Sequence, residues 1–224
     1  MKKYEFTGET MEKFGVTFRR IRALREVENG NTVFARKGET GGWIAEEKNL
    51  AQDGNAWVSG DAWVSGDARV SGNAWVSGDA LVSGDARVCG DARVCGNAGV
   101  YGNAQVYGDA RVCGNALVCG NVWVSGNALV CGDTRVYGDA WVYGDAQIIK
   151  PTDILTVGPI GSRNATTTFF RDKSGGISVI CGCFFGTLAE FAEKVTATHG
   201  DNKHAKAYRA AVELAKVQME EGQK

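Results

Sequence analysis

The sequence predicts a mainly β protein: a parallel β-helix of about five coils, three hexapeptides to a coil, with a small α+β module after it. Three observations predict it. Gly recurs every six residues without a gap from Gly54 to Gly144. Asp or Asn follows each of these glycines, and Ala comes next, with Val122 and Thr134 the two departures. Val holds the fifth place from Val58 to Val142, and Ile148 closes the series. Hexapeptide periods of this kind are the signature of a β-helix, because one unit cannot bury its apolar face alone and stacked units can.

Each place in the unit G-[DN]-A-x-V-x has a physical reason. Alternate residues of a strand face opposite sides, so Ala and Val point to a dry interior and x points out. The Gly-Asp or Gly-Asn pair makes the corner, since Gly, and less freely Asn or Asp, accepts positive φ. Three edges close a triangle, so residues 18 apart stack on one edge. At a strand spacing of ~4.8 Å the prism is roughly 25 Å tall.

The chain therefore divides into an N-terminal cap over residues 1–53, a repeat region over 54–149 and a C-terminal ββαα module over 150–224. A solenoid has open sheet edges at both ends and needs covers. In the first segment TFRRIRAL (17–24) reads as a strand, with Phe18, Ile21 and Leu24 as apolar anchors. Lys150-Pro151 ends the repeat. Then TTTFFRD (166–172) and ISVICGCFF (177–185) flank Lys173-Ser174-Gly175-Gly176 and read as a hairpin. Thr187 with Glu190 fits a capping box before the apolar face Leu188, Phe191, Val195. A second helix runs from about His204 to about Met219, with Tyr208, Val212 and Ala215 on one side.

Composition narrows the function classes. Net charge is −1, which points to neither nucleic acid nor a membrane surface. The opening MKKYEFTGET lacks an apolar signal region, and no apolar run is long enough to span a bilayer. Seven cysteines, an odd number, are read most simply as reduced thiols in a cytoplasmic setting.

The pattern over residues 54–149 resembles the left-handed parallel β-helix of the bacterial hexapeptide-transferase superfamily, and left-handedness is what that resemblance implies. The arrangement RIRAL…GGWI…NLAQDGNAWV resembles the opening of uncharacterised hexapeptide-repeat proteins of bacteria and their prophages. The C-terminal words GPIGSR (158–163), CGCFFGT (181–187) and His199-Gly200 are similar to a unit on other prophage-type proteins. Neither resemblance brings an activity.

The outward positions form ladders. One carries Arg69, Arg87, Gln105, Trp123 and Trp141, and the place after Val adds Tyr107 and Tyr143 beside it. Such an aromatic stack is usually covered. The sequence leaves open a subunit interface in a dimer or trimer, docking of the C-terminal module, or a stacking platform for a planar ligand, with Arg69 and Arg87 meeting phosphates. Ser162, Arg163 and Asn164 are a further candidate set for phosphate or carboxylate, and His199 lies in a turn able to approach them. Cys95, Cys113 and Cys131 fall in one column, read as tolerated surface residues. Cys181-Gly182-Cys183 reads as a strand with thiols to both sides. Asp and Asn at the corners are read as turn residues bonded to local N–H groups. No metal site and no cofactor are expected.

Three functions follow. The first is a non-enzymatic binding or interaction protein, such as a prophage accessory, anti-defence-like product that engages a host protein or captures a small anionic, nucleotide-type ligand. The second is an acyltransferase-like enzyme of the superfamily. The repeats hold no His and no extruded loop, so its base would be His199. The third is a self-assembling scaffold, which non-repeat sequence at both ends disfavours.

Overall fold

The computed structural model describes residues 2–219. Five strands precede the repeats: β1 (Tyr4–Lys13), β2 (Val16–Ala23), β3 (Val27–Asn29), β4 (Thr32–Ala35) and β5 (Thr40–Ile44). Sixteen short hexad strands follow, from β6 (Trp57–Val58) to β21 (Gln147–Ile148). They stack as three parallel sheets in which every partner lies 18 residues away, as Trp123 lies against Trp141 and Val124 against Val142. The inward Ala and Val side chains are sealed from solvent along the whole stack. Each buried Val contributes on the order of 1.5–3 kcal/mol.

The corner glycines are held by two constraints. Gly78 sits at φ 71°, and a Cβ there would come within 3.0 Å of the Gly96 backbone one coil on. A side chain would meet both an unfavourable conformation and the next rung. The Asp and Asn beside them work differently from the turn bonding expected. Their backbone N–H groups reach the Gly carbonyl of the next coil, as from Asn97 to Gly114 at 2.8 Å. Their side chains bond up the corner: the Asn121 amide donates to Asp139 at 2.8 Å and the Asn127 amide to Asp145 at 3.0 Å. Asn interleaved with Asp turns a column of like charges into donor–acceptor pairs.

Coiling starts before the first hexad. β5 pairs in parallel with β7 (Trp63–Val64), and Leu50 bridges to Val70, so the segment before Gly54 builds an incomplete coil. With it the solenoid has about six turns. β1 and β2 form an antiparallel hairpin that extends the sheet beyond β5. As read from the sequence, Phe18 and Ile21 are buried in it; Leu24 is half-buried.

The two ends show opposite backbone polarity. Each coil donates its N–H groups to the carbonyls of the next, as Trp57 does to Ala74 at 2.9 Å. Carbonyls of the first hexad coil therefore face the N-terminal segment. Ala56 accepts from Lys3 Nζ at 2.7 Å, Ala62 from the Trp43 N–H at 2.9 Å, and Ala68 from Asn49 Nδ2 at 2.9 Å. At the other end unpaired N–H groups need acceptors. Trp141 donates to Thr168 Oγ1 at 3.2 Å, and Ile149 and Lys150 donate to Asp153 Oδ2 at 2.9 and 2.8 Å.

The C-terminal module has four strands where the sequence reading has two: β22 (Ile154–Ile160), β23 (Ala165–Arg171), β24 (Ile177–Cys181) and β25 (Phe184–Thr187), antiparallel in that order. Gly182, at φ 61°, breaks the expected long strand into β24 and β25, so Cys183 stands in a turn rather than on a strand. Two helices follow, α1 (Leu188–His199) and α2 (Lys203–Met219). Thr187 caps α1 with Glu190 in a reciprocal capping box. Strand alternation gives the sheet two working faces. Ile154, Phe170 and Ile180 close the solenoid core, while Phe169 and Val179 pack on Phe191, Val195, Tyr208 and Val212 of the helices. No helix among the described residues is long and apolar enough to cross a membrane.

Candidate functional site

The molecule's six tryptophans separate by position. Trp57, at an outward place in its hexad, has no exposed surface, because the N-terminal segment folds over it. Phe34 stacks on Trp75 at 5.2 Å, Phe18 packs on Trp63 at 5.6 Å, and the Arg20 guanidinium lies 4.9 Å from the Trp43 ring. At the other end Trp123 is half-buried, as Trp63 and Trp75 are, and Trp141 is exposed. β17 (Trp123–Val124) and β20 (Trp141–Val142) are neighbours, and their indoles stack at 5.2 Å with planes 6° apart. Tyr107 meets Trp123 edge-on at 6.0 Å. Trp141, on the last coil, is 43% exposed.

The C-terminal module stops beside this pair. Phe185 covers Tyr143 at 4.3 Å, and the Gly182-Cys183 turn comes up to the ladder. A groove of about 340 Å³ results, walled by Tyr107, Trp123, Trp141 and Tyr143 on one side and by the turn on the other. The opposite side of Trp141 borders a larger cavity of about 730 Å³, reached by Tyr137, Pro159 and Asn164.

Behind the turn lies a third cavity, of about 190 Å³, which Gly182 and Cys183 also line. It brings Ser162 and Arg163 together with His199, three residues singled out in the sequence. They come from the four-residue turn at 161–164 and from the last residue of α1. Lys194 of α1 and Tyr208 of α2 also line it, and no carboxylate among the described residues does. Neither Arg163 nor Lys194 makes an ion pair among the described residues. The Cys181 thiol donates to Tyr208 Oη at 3.6 Å and accepts from the Thr167 hydroxyl at 3.4 Å. Burial, then the Cys181 thiol, push the Tyr208 hydroxyl up to about 12, against a smaller opposing pull from Arg163. At neutral pH it stays protonated.

Some expected residues lie elsewhere. Arg69 and Arg87 share the face of Trp123 and Trp141, but Gln105 intervenes, and Arg87 stands two coils, roughly 10 Å, from Trp123. They line neither the groove nor the cavity behind the turn. Asn164 borders only the larger cavity. The sequence reading missed Lys194, Tyr208 and the Gly182-Cys183 turn. An isolated Gly inside a strand pattern was the available signal for the turn. The sequence put Tyr208 on the apolar side of its helix, but its place beside Arg163, Lys194 and His199 arises from helix packing that no local pattern announces.

The fold and this junction define a capped parallel β-solenoid with a composite cleft at its C-terminal end. Five stretches, residues 62–78 and the overlapping 86–102, 92–108, 104–120 and 110–126, match the family model described as YdcK Beta solenoid repeat. The matches lie within the hexads and bear on the repeat, not on the cleft. No curated protein matches the chain.

Proposed function

We propose that this is a non-enzymatic binding protein whose cleft captures a small planar ligand carrying an anionic group, of nucleotide type. The observation that carries the reading is the stacked pair Trp123 and Trp141, whose outer ring, Trp141, is the one exposed tryptophan among the described residues. A heterocyclic ring on Trp141 would gain about 1–3 kcal/mol of stacking. The cavity with Arg163 and Lys194 shares the Gly182-Cys183 turn with the aromatic groove, so an anion there sits next to the stacked ring. Two free cations balance the −1.5 to −2 or so of a phosphomonoester. The prophage accessory role is part of the proposal and rests on the resemblance of both end segments to prophage-type proteins.

The test is thermal shift on the full chain with nucleoside monophosphates, the matching nucleosides, acyl-CoA compounds and inorganic phosphate. A bound ligand raises the melting temperature with concentration. Nucleoside monophosphates are expected to shift the wild type, with the shift lost in Trp141→Ala and reduced in Arg163→Met. No shift with any nucleotide ends the capture reading. If light scattering then shows a dimer or trimer that Trp141→Ala dissociates, the pair is an interface.

A second reading, acyl transfer with His199 as base, draws on the placing of His199 beside Ser162 and Arg163. It predicts turnover of an acyl-CoA that His199→Ala abolishes.

A further inference from the structure

The cysteine column on the prism offers a chemistry that the cleft does not use. The place after Val on this edge is held in successive coils by Ser59, Ser77, Cys95, Cys113 and Cys131. The other two edges never place cysteines in successive coils: their Cys89 and Cys119 have Ser or Tyr before and after them. The strands carrying Arg111 and Leu129 pair in register, so Cys113 and Cys131 stand abreast. Adjacent strands lie ~4.8 Å apart, inside the roughly 4.4–6.8 Å Cα window that a disulfide tolerates. The two sulfurs are free thiols 2.6 Å apart. That is closer than the roughly 3.5–4.0 Å at which unbonded heavy atoms rest, and it leaves under 1 Å to close to a bond of about 2.05 Å. Both thiols are half-buried, not sealed, so a small reagent can reach them.

We propose that Cys113 and Cys131 are a redox pair that closes into an inter-coil disulfide when the protein meets a small-molecule disulfide. One thiolate attacks the reagent's S–S bond, forms a mixed disulfide and expels one reagent thiolate. The second protein thiol loses its proton and attacks the protein sulfur of that mixed disulfide. A bond forms between Cys113 and Cys131, and the second reagent thiolate leaves. Two protein thiols are oxidised, one reagent disulfide is reduced to two thiols, and no other reactant is needed. The link staples two successive coils within the stretch that carries Trp123.

The experiment is incubation of the full chain with glutathione disulfide, alkylation with iodoacetamide, and mass spectrometry. Trypsin releases residues 112–135 as one peptide holding Cys113, Cys119 and Cys131. Cleavage after Trp123 then separates Cys131 from the other two unless a disulfide joins the halves. The expected result is joined halves, lighter by two hydrogens and falling apart on reduction. Cys113→Ser and Cys131→Ser should each abolish the link, while Cys95→Ser and Cys119→Ser leave it. Serine already occupies this column at Ser59 and Ser77, and the Cys119 column at Ser65 and Ser83, so these variants keep the fold. Full alkylation of both thiols after oxidant overturns the proposal. So does a mixed disulfide that never closes, or a link that survives Cys113→Ser.

Discussion

The two ends of the solenoid face the same problem with opposite sign. A parallel coil shows carbonyls at its first edge and N–H groups at its last. The N-terminal segment answers with donors, the Lys3 ammonium and the Asn49 amide, and the C-terminal module with acceptors, the Thr168 hydroxyl and the Asp153 carboxylate. They differ again in the side chains they cover. The N-terminal cap buries or half-buries its four tryptophans, and the C-terminal cap leaves Trp141 exposed. Capping satisfies backbone polarity at both ends, and only one end also closes its aromatic surface. The open end is where the proposed ligand would stack.

The largest expected effect removes the apolar plug of the open end. Phe170→Ala empties a fully buried site against the last coil and should cost about 3–5 kcal/mol in urea denaturation. A loss under 1 kcal/mol would mean the module does not seal the core. Next is reversal of polarity at the N-terminal end. Asn49 is buried, and its amide serves both Gly66 and Ala68 carbonyls. Asn49→Asp replaces that donor with an acceptor and should cost about 3 kcal/mol, more than Asn49→Ala. Equal losses would show that donor polarity is not what the first coil requires.

A smaller effect has the opposite sign. Thr134 takes an Ala place in the core, and its buried hydroxyl has no partner among the described residues. Thr134→Val keeps the volume, removes the orphan group and should stabilise by about 1–2 kcal/mol by the same denaturation. The smallest effect is a pH slope. Burial, with the nearby Arg25 charge, lowers Lys3 to about 8 from its ordinary 10.5, against a weaker raising effect of Asp53. Between those values the unfolded chain holds more protons than the folded one, so this contribution to stability rises with pH. Tyr4 is raised by burial and acts in reverse above its ordinary 10, so the useful window is pH 8–10. Wild type should gain on Lys3→Met there, by at most about 1 kcal/mol per pH unit.

The repeat was legible in the sequence because each hexad states its own geometry. Ala56 and Val58 face in, Gly54 turns the corner, and an 18-residue offset puts Trp123 on Trp141. The capping box at Thr187 and the apolar face of Tyr208, Val212 and Ala215 were equally local signals. What failed depended on chain from elsewhere. Trp57 is outward by its hexad and buried by strands far from it in sequence. Arg87 shares a ladder with Trp123, yet coil rise holds it away. Arg163, Lys194 and His199 meet only because two helices fold back on β22–β25, which no residue pattern near them encodes.

Tryptophan quenching by acrylamide tests most directly whether Trp123 and Trp141 are the open aromatic surface. Replacing both by Phe should remove a large part of the quenchable emission, Trp141 the larger share, while the same change at the buried Trp43 and Trp57 leaves it intact. A quenchable fraction unchanged by losing Trp123 and Trp141 would contradict the open end and the cleft built on it.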